Sequence, residues 1–117
     1  MKLFWIRATT GEWLPLENVN LSEVRTIGVY IIWHAGNPSR VVYVGQGDIR
    51  ERLSAHRSDW RIIHHATHGT LYVTWAGVGN QADRDAIERY LADTWNPLVG
   101  EAHPNVLPLA VNSPWAA

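Results

Sequence analysis

The stretch GVYIIWHAGNPSRVVYVGQGDIRERLSAH, residues 28–56, decides how this chain folds. Its first part, within TIGVYIIWHA, is rich in β-branched and aromatic residues, and the GNPS that follows has turn composition. RVVYVG then reads as a second strand. A connection this short joins antiparallel neighbours, because a parallel return needs a dozen or more residues. Asp48 is placed to cap a helix over IRERLSAHRSDW, with Ile49, Leu53 and Trp60 on its inner face. Strand side chains alternate faces, so Gly28, Tyr30 and Ile32 share one face, while Val41, Tyr43 and Gly45 share a face of the next strand.

Outward from this segment the pattern continues. RIIHHAT extends the helix or adds a helical turn, His68-Gly69 ends it, and TLYVTWAGV is a third strand. NQADRDAIERYLADTW is a second helix, with Ile87, Leu91 and Thr94 or Trp95 on one stripe, and it stops before Pro97. Towards the N-terminus, KLFWIRATTGEWLPL alternates around a Thr-Thr-Gly turn and suggests an additional strand or hairpin, and ENVNLSEV is a polar connector. The expected fold is α/β of the α+β type. A small central antiparallel three-stranded sheet is flanked by helices in the order β-β-α-(α)-β-α. One domain spans 1–117, with a core of about 27–100, an N-terminal extension over 1–26 and an irregular, proline-bearing tail over 101–117.

The composition suits an ordinary globule: 46% hydrophobic and 18% charged residues leave enough apolar side chain for a core without metal or disulfide staples. The chain contains no cysteine, which excludes disulfides, thiolate metal sites and thiol nucleophiles and fits a reducing compartment. The start MKLFWIRATTGEW turns polar early without a small-residue cleavage site, and no apolar run approaches about 18 residues. A cytoplasmic protein without a membrane span is expected, so the Asn20-Leu21-Ser22 sequon carries little weight.

Net charge is −1, yet the charge is uneven. Arg40, Arg50, Arg52, Arg57 and Arg61 face only Asp48, Glu51 and Asp59 over residues 40–61, whereas residues 62–117 hold two arginines against five acids. Nine of the ten basic residues are arginine, whose planar fork pairs bidentately with phosphate. A solvated helix face with pairs such as Asp48–Arg52 is the plainer explanation of the same residues.

The hairpin brings Tyr30 near Tyr43, and Arg52 and His56, four apart on a helix tethered to Gly45, project from one side. Two phenols, a guanidinium and an imidazole form a kit for phosphodiester chemistry: hydroxyls to orient or deprotonate water, and a cation for the charge that builds on phosphate. Singly, each residue has an ordinary reading as packing or solvated surface.

This ordered set resembles the GIY-YIG nuclease family. Gly28-Val29-Tyr30 stands for the first tripeptide and Tyr43-Val44-Gly45 for the second. Arg52 follows Tyr43 by nine residues, His56 follows Arg52 by four, and Glu88 in AIERYL falls where that family has its metal-binding glutamate. The resemblance covers about residues 27–100. It implies a metal-dependent endonuclease hydrolysing DNA by a single-metal mechanism, with Mg²⁺ or Mn²⁺ on Glu88 and an in-line attack by water. On this reading Tyr30 approaches the water, Tyr43 positions phosphate or water, Arg52 stabilises charge and His56 relays the proton. Arg40, Gln46, Arg50, Arg57 and Arg61 are the residues assigned to DNA phosphates. Two departures stand out: Gln46 replaces a lysine that some members carry after the second tripeptide, and Val99 replaces an asparagine common after the glutamate helix, with Asn96 and Asn105 the nearest substitutes.

The competing expectations are a catalytically degenerate module that binds nucleic acid or a protein, and an adaptor with no nucleic-acid ligand. His64, His65 and His68 in HHATH are read as structural or surface residues rather than a metal cluster. The seven tryptophans are read as core or boundary residues, one or two of them free to stack on unpaired bases. With no separate DNA-reading domain, site choice falls to the N-terminal 25 residues, DNA shape, a homodimer or a partner protein.

Overall fold

A computed structural model describes residues 1–100 and 102–115. Four strands form one antiparallel sheet: β1 (Leu14–Pro15), β2 (Ile27–His34), β3 (Arg40–Asp48) and β4 (Leu71–Gly77), ordered β1-β4-β2-β3. The helices are α1 (Ile49–His56), α2 (Trp60–Ile63) and α3 (Gln81–Trp95), with 3₁₀ turns at Leu16–Asn18, Leu21–Glu23 and His64–Thr67. The α+β architecture expected from the sequence is therefore present. Its N-terminal strand is only two residues long and lies at the edge beside β4. The preceding chain still follows β4, because Ile6 N–H donates to the Trp75 carbonyl and the Thr74 hydroxyl donates to the Ile6 carbonyl.

Strand β2 lies between β3 and β4 and is buried at every position from Gly28 to His34, as its nearly continuous apolar run requires. Its alternating residues serve two cores. Tyr30 and Ile32 join Val42, Ile49, Leu53, Ile62 and Val73 on one face, where α1 and α2 pack. Val29, Ile31 and Trp33 join Val44, Ala76, Ile87 and Leu91 on the other, where α3 packs. Fully burying such a side chain is worth about 1.5–3 kcal/mol, so the sheet is held from both sides.

Two register details differ from the simple alternation. An irregularity between Ile32 and Trp33 lets β3 gain a residue: Ile32 faces Tyr43, and Trp33 faces Val41. Val41 consequently joins the α3 core rather than sharing the face of Tyr43, while Gly45 stays opposite Tyr30. The helix expected over residues 49–60 also breaks. Asp59 accepts from Arg61 N–H and caps a new helix, so α1 ends at His56 and Trp60 is 73% exposed instead of lining the core. Asp48 caps α1 as expected, accepting from Glu51 N–H, and Asn80 caps α3, accepting from Asp83 N–H.

The N-terminal extension covers the α1 face with Leu16, Val19 and Val24. Arg57 holds it there: its guanidinium donates to the Leu16 carbonyl at 2.8 and 3.0 Å and to that of Val19 at 2.6 Å. Arg50 donates likewise to the carbonyls of Ser22 and Val24. The tail, apart from Glu101, Ala116 and Ala117, which lie outside the described residues, packs without helix or strand. Val111 is buried against the α3 face, and the Asn112 amide exchanges hydrogen bonds with the Leu3 backbone.

Arg57→Ala leaves two carbonyls without their charged donor and is expected to lower unfolding free energy by about 1.5–3 kcal/mol. Arg40→Ala, at an exposed side chain, is expected to change it by less than about 0.5 kcal/mol. Urea titrations of the two variants check this, and equal stability losses would contradict it.

Candidate functional site

The site is assembled on the α1 face around Tyr30. Gly45 stands opposite Tyr30 across the β2–β3 pair, and a Cβ there would overlap the Tyr30 hydroxyl and ring. The bare glycine is what lets the phenol lie across β3. Gly28 has a comparable reason: a Cβ on it would collide with the Ala76 carbonyl of β4. Both motif glycines are thus demanded by close packing of the strands themselves.

The Tyr30 hydroxyl and His56 Nε2 are 2.5 Å apart, and Arg52 Nε donates to the same hydroxyl at 3.4 Å. Tyr43 completes the group, with its ring 6.1 Å from that of Tyr30 and 4.5 Å from that of His56. The Arg52 cation is also close enough to Tyr43 to interact with it, and so acts on both phenols. The protonation states follow from burial. Burial holds the His56 imidazole down to about 4, reinforced by the Arg52 cation, so it is neutral at pH 7. Burial likewise pushes the Tyr30 phenol well above its ordinary value, against the pull of Arg52. The neutral phenol therefore donates to Nε2, which places the imidazole proton on Nδ1. Tyr30 has no exposed surface, whereas Tyr43 is half-buried. The phenol nearer solvent is thus Tyr43, the reverse of the order expected from the sequence.

Glu88 comes from the other layer. On α3 it follows Ile87, which is wholly buried against the sheet, and is itself 9% exposed. Strand β3 is the outer strand, and the chain leaving α3 runs along its free edge, with Leu98 and Val99 N–H donating to the Val41 and Val42 carbonyls. This passage sets Gly100 against the Tyr43 ring and brings His103 Nδ1 to 2.8 Å from Glu88 Oε2. The carboxylate is near enough to Tyr30 that its charge also opposes ionisation of the phenol. Tyr30, Tyr43, Arg52 and His56 therefore meet on one face, and Glu88 approaches them from the other layer within electrostatic reach of Tyr30. His103 was not foreseen. It lies in a segment without periodicity, and no residue pattern ties it to Glu88. Val99, at the position of the missing asparagine, packs on the α1-side core, while Asn96 ends α3 in a left-handed conformation and Asn105 is exposed.

The residues assigned to phosphate separate into groups. Arg50 and Arg57 spend their donors on the N-terminal extension. Gln46 faces α3, where it donates to Asp85 and accepts from Gln81 and Arg84. Arg61 pairs with Asp59 at 2.9 Å. Arg40 has no hydrogen-bond or ion-pair partner among the described residues. In HHATH, the His65 ring lies tilted against that of His64 with centroids 4.0 Å apart, and both His65 and His68 lie near buried His34. Among the described residues, no group of three or more His, Asp or Glu side chains is arranged to hold a metal.

Comparison with protein-family models, with curated proteins and with solved structures returns no match for this chain.

His56 supplies a pH test. Its folded value lies near 4 and its ordinary value near 6.5, so as pH falls below 6.5 the unfolded chain gains a proton that the folded chain refuses. The stability advantage of the wild type over His56→Gln should be full above pH 6.5 and shrink steadily down to about pH 4. Chemical denaturation of both proteins across that range measures it, and a constant difference would show that His56 is not held neutral.

Proposed function

We propose that the chain is a metal-dependent endonuclease acting on DNA phosphodiester bonds. The observation that carries this reading is the meeting of two stacked phenols, a guanidinium and a neutral imidazole on one sheet face, with the Glu88 carboxylate of α3 near enough for its charge to act on Tyr30. The donor set suits a hard cation: Mg²⁺ or Mn²⁺ is commonly held by one or two carboxylates and keeps several waters, so Glu88 alone suffices on the protein side. Bound there, the ion would offset charge on the phosphate.

The protein groups then divide the work. Arg52 receives the charge that develops on the phosphate oxygens as water attacks phosphorus and the bond to the leaving oxygen breaks. Tyr43, the phenol nearer solvent, orients the water. Its proton passes through the Tyr30 hydroxyl towards His56. The resting imidazole is a poor sink, because burial and, after it, the Arg52 cation oppose its protonation. A phosphate anion beside Arg52 offsets the second of these and so eases proton uptake by His56 while substrate is in place.

Glu88→Gln is expected to abolish Mg²⁺-dependent nicking of plasmid DNA while DNA affinity stays within about twofold, since one carboxylate is lost from the site and no cation. Undiminished nicking by that variant would remove the assignment. Arg52→Ala is expected to lower kcat by about 10²–10³-fold, on the scale of losing one preorganised charge donor.

A second reading is favoured by a specific contact. His103 occupies Oε2 of Glu88 at 2.8 Å, an arrangement also fit for a degenerate module that binds nucleic acid or a protein without cutting. Calorimetric titration with Mn²⁺ separates the two, because only the enzyme requires a divalent site that Glu88→Gln destroys.

A further inference from the structure

A cavity of about 460 Å³ opens on the α3 side of the sheet, lined by Trp33, Ser39, Arg40, Val41, Trp95 and Trp115. Its volume falls within the range that takes small organic ligands. Three of these residues are tryptophans distant in sequence. Trp115 meets both Trp33 and Trp95 edge to face, with centroids 4.9 Å apart in each pair and interplanar angles of 86° and 85°. Trp33 is anchored in the core by Trp13 and Tyr72, whereas Trp95 and Trp115 are half-buried.

The chemistry of the lining narrows the occupant. A box of indoles suits a cation, but a cation site wants an acidic neighbour, and among the described residues no carboxylate lines this cavity while Arg40 does. Arg40 is exposed and has no hydrogen-bond or ion-pair partner among the described residues, although its neighbour Ser39 is already bonded to the His34 carbonyl. Aromatic walls with an unpaired guanidinium at the rim match a flat aromatic ring attached to an anion. Trp60, the most exposed tryptophan, lacks this combination, because the adjacent Arg61 is engaged with Asp59.

We propose that this cavity receives an unpaired base of a nucleic-acid strand, stacked on Trp95 and Trp115, with Arg40 on its phosphate. Arg40 and Tyr43 lie three residues apart on β3, about 10 Å along the strand. A strand held here therefore passes near Tyr43 and the Gly100–His103 segment that links it to Glu88. The proposal deepens the nuclease reading by giving it a substrate class, DNA with unpaired nucleotides next to the cleaved bond, and it rests on that reading only for the cleavage.

The test measures binding without divalent metal. Fluorescein-labelled oligothymidylate and a fully paired duplex are titrated with wild type, Trp95→Leu, Trp95→Phe, Arg40→Ala and Trp60→Leu, read by anisotropy. Trp95→Leu and Arg40→Ala should each weaken oligothymidylate binding by about tenfold, the scale of losing one stacked base, and duplex binding by much less. Trp95→Phe keeps a ring and should retain most of the affinity, and Trp60→Leu, outside the cavity, should change neither. In the wild type, photocrosslinking with 5-bromouracil in the oligonucleotide should mark Trp95 or Trp115. Unchanged affinity of Trp95→Leu, free thymidine monophosphate binding as tightly as the oligonucleotide, or crosslinks only at other residues would each overturn the proposal. Binding at this cavity by a protein that never cuts DNA would remove the nuclease reading alone. Cleavage of duplex without contact here would remove this proposal alone.

Discussion

The hydrogen bond from the Tyr30 hydroxyl to His56 is the interaction on which the site depends. Tyr30 sits in a central strand with no exposed surface, so its polar atom must find partners inside the fold. It has a neutral imidazole on one side and the Arg52 guanidinium on the other. Each of these requires something further. Gly45 must lack a side chain for the ring to lie flat, α1 must begin directly after β3 for positions 52 and 56 to face the phenol, and Asp48 must cap that helix at the right residue. Burial in turn sets the protonation states, so the network has a defined direction from Arg52 through Tyr30 to His56.

Strand β3 imposes the second constraint. An outer strand offers unpaired backbone groups, which proteins cover or otherwise protect. Here the chain leaving α3 covers part of that edge through Leu98 and Val99. The same covering segment carries Gly100 onto Tyr43 and His103 onto Glu88, so the protection of a sheet edge and the joining of the two layers are one structural event. The aromatic cavity lies at the Arg40 end of β3, next to the stretch that Leu98 and Val99 cover, where the Trp95 end of α3 meets the tail.

Much of this was legible in the sequence because it is local. The β2–β3 hairpin, the cap at Asp48, and the i, i+4 pairing of Arg52 with His56 each depend on residues a few positions apart. Gly28 and Gly45 could be noticed as motif members, but their physical cause, contact with Ala76 and Tyr30 across strands, needed the register. What escaped was non-local. The irregularity that returns Val41 to the α3 core is set by packing on both faces of the sheet, and α1 stops early because Asp59 competes as a cap. Arg50 and Arg57 looked like phosphate ligands on charge alone, yet carbonyls of the N-terminal extension some thirty to forty positions away take up their donors. His103 and the meeting of Trp33, Trp95 and Trp115 depend on the path of a tail that has no periodicity to read.

The central claim is that Glu88 and the Tyr30 network form one metal-dependent phosphate site. Paramagnetic broadening by Mn²⁺ in amide NMR spectra tests it most directly, since it locates the ion without relying on turnover. The account predicts broadening centred on α3 around Glu88 and spreading to Gly100, His103 and Tyr43, and abolished in Glu88→Gln. Broadening centred on His34, His65 and His68, or none beyond that of free Mn²⁺, would contradict it.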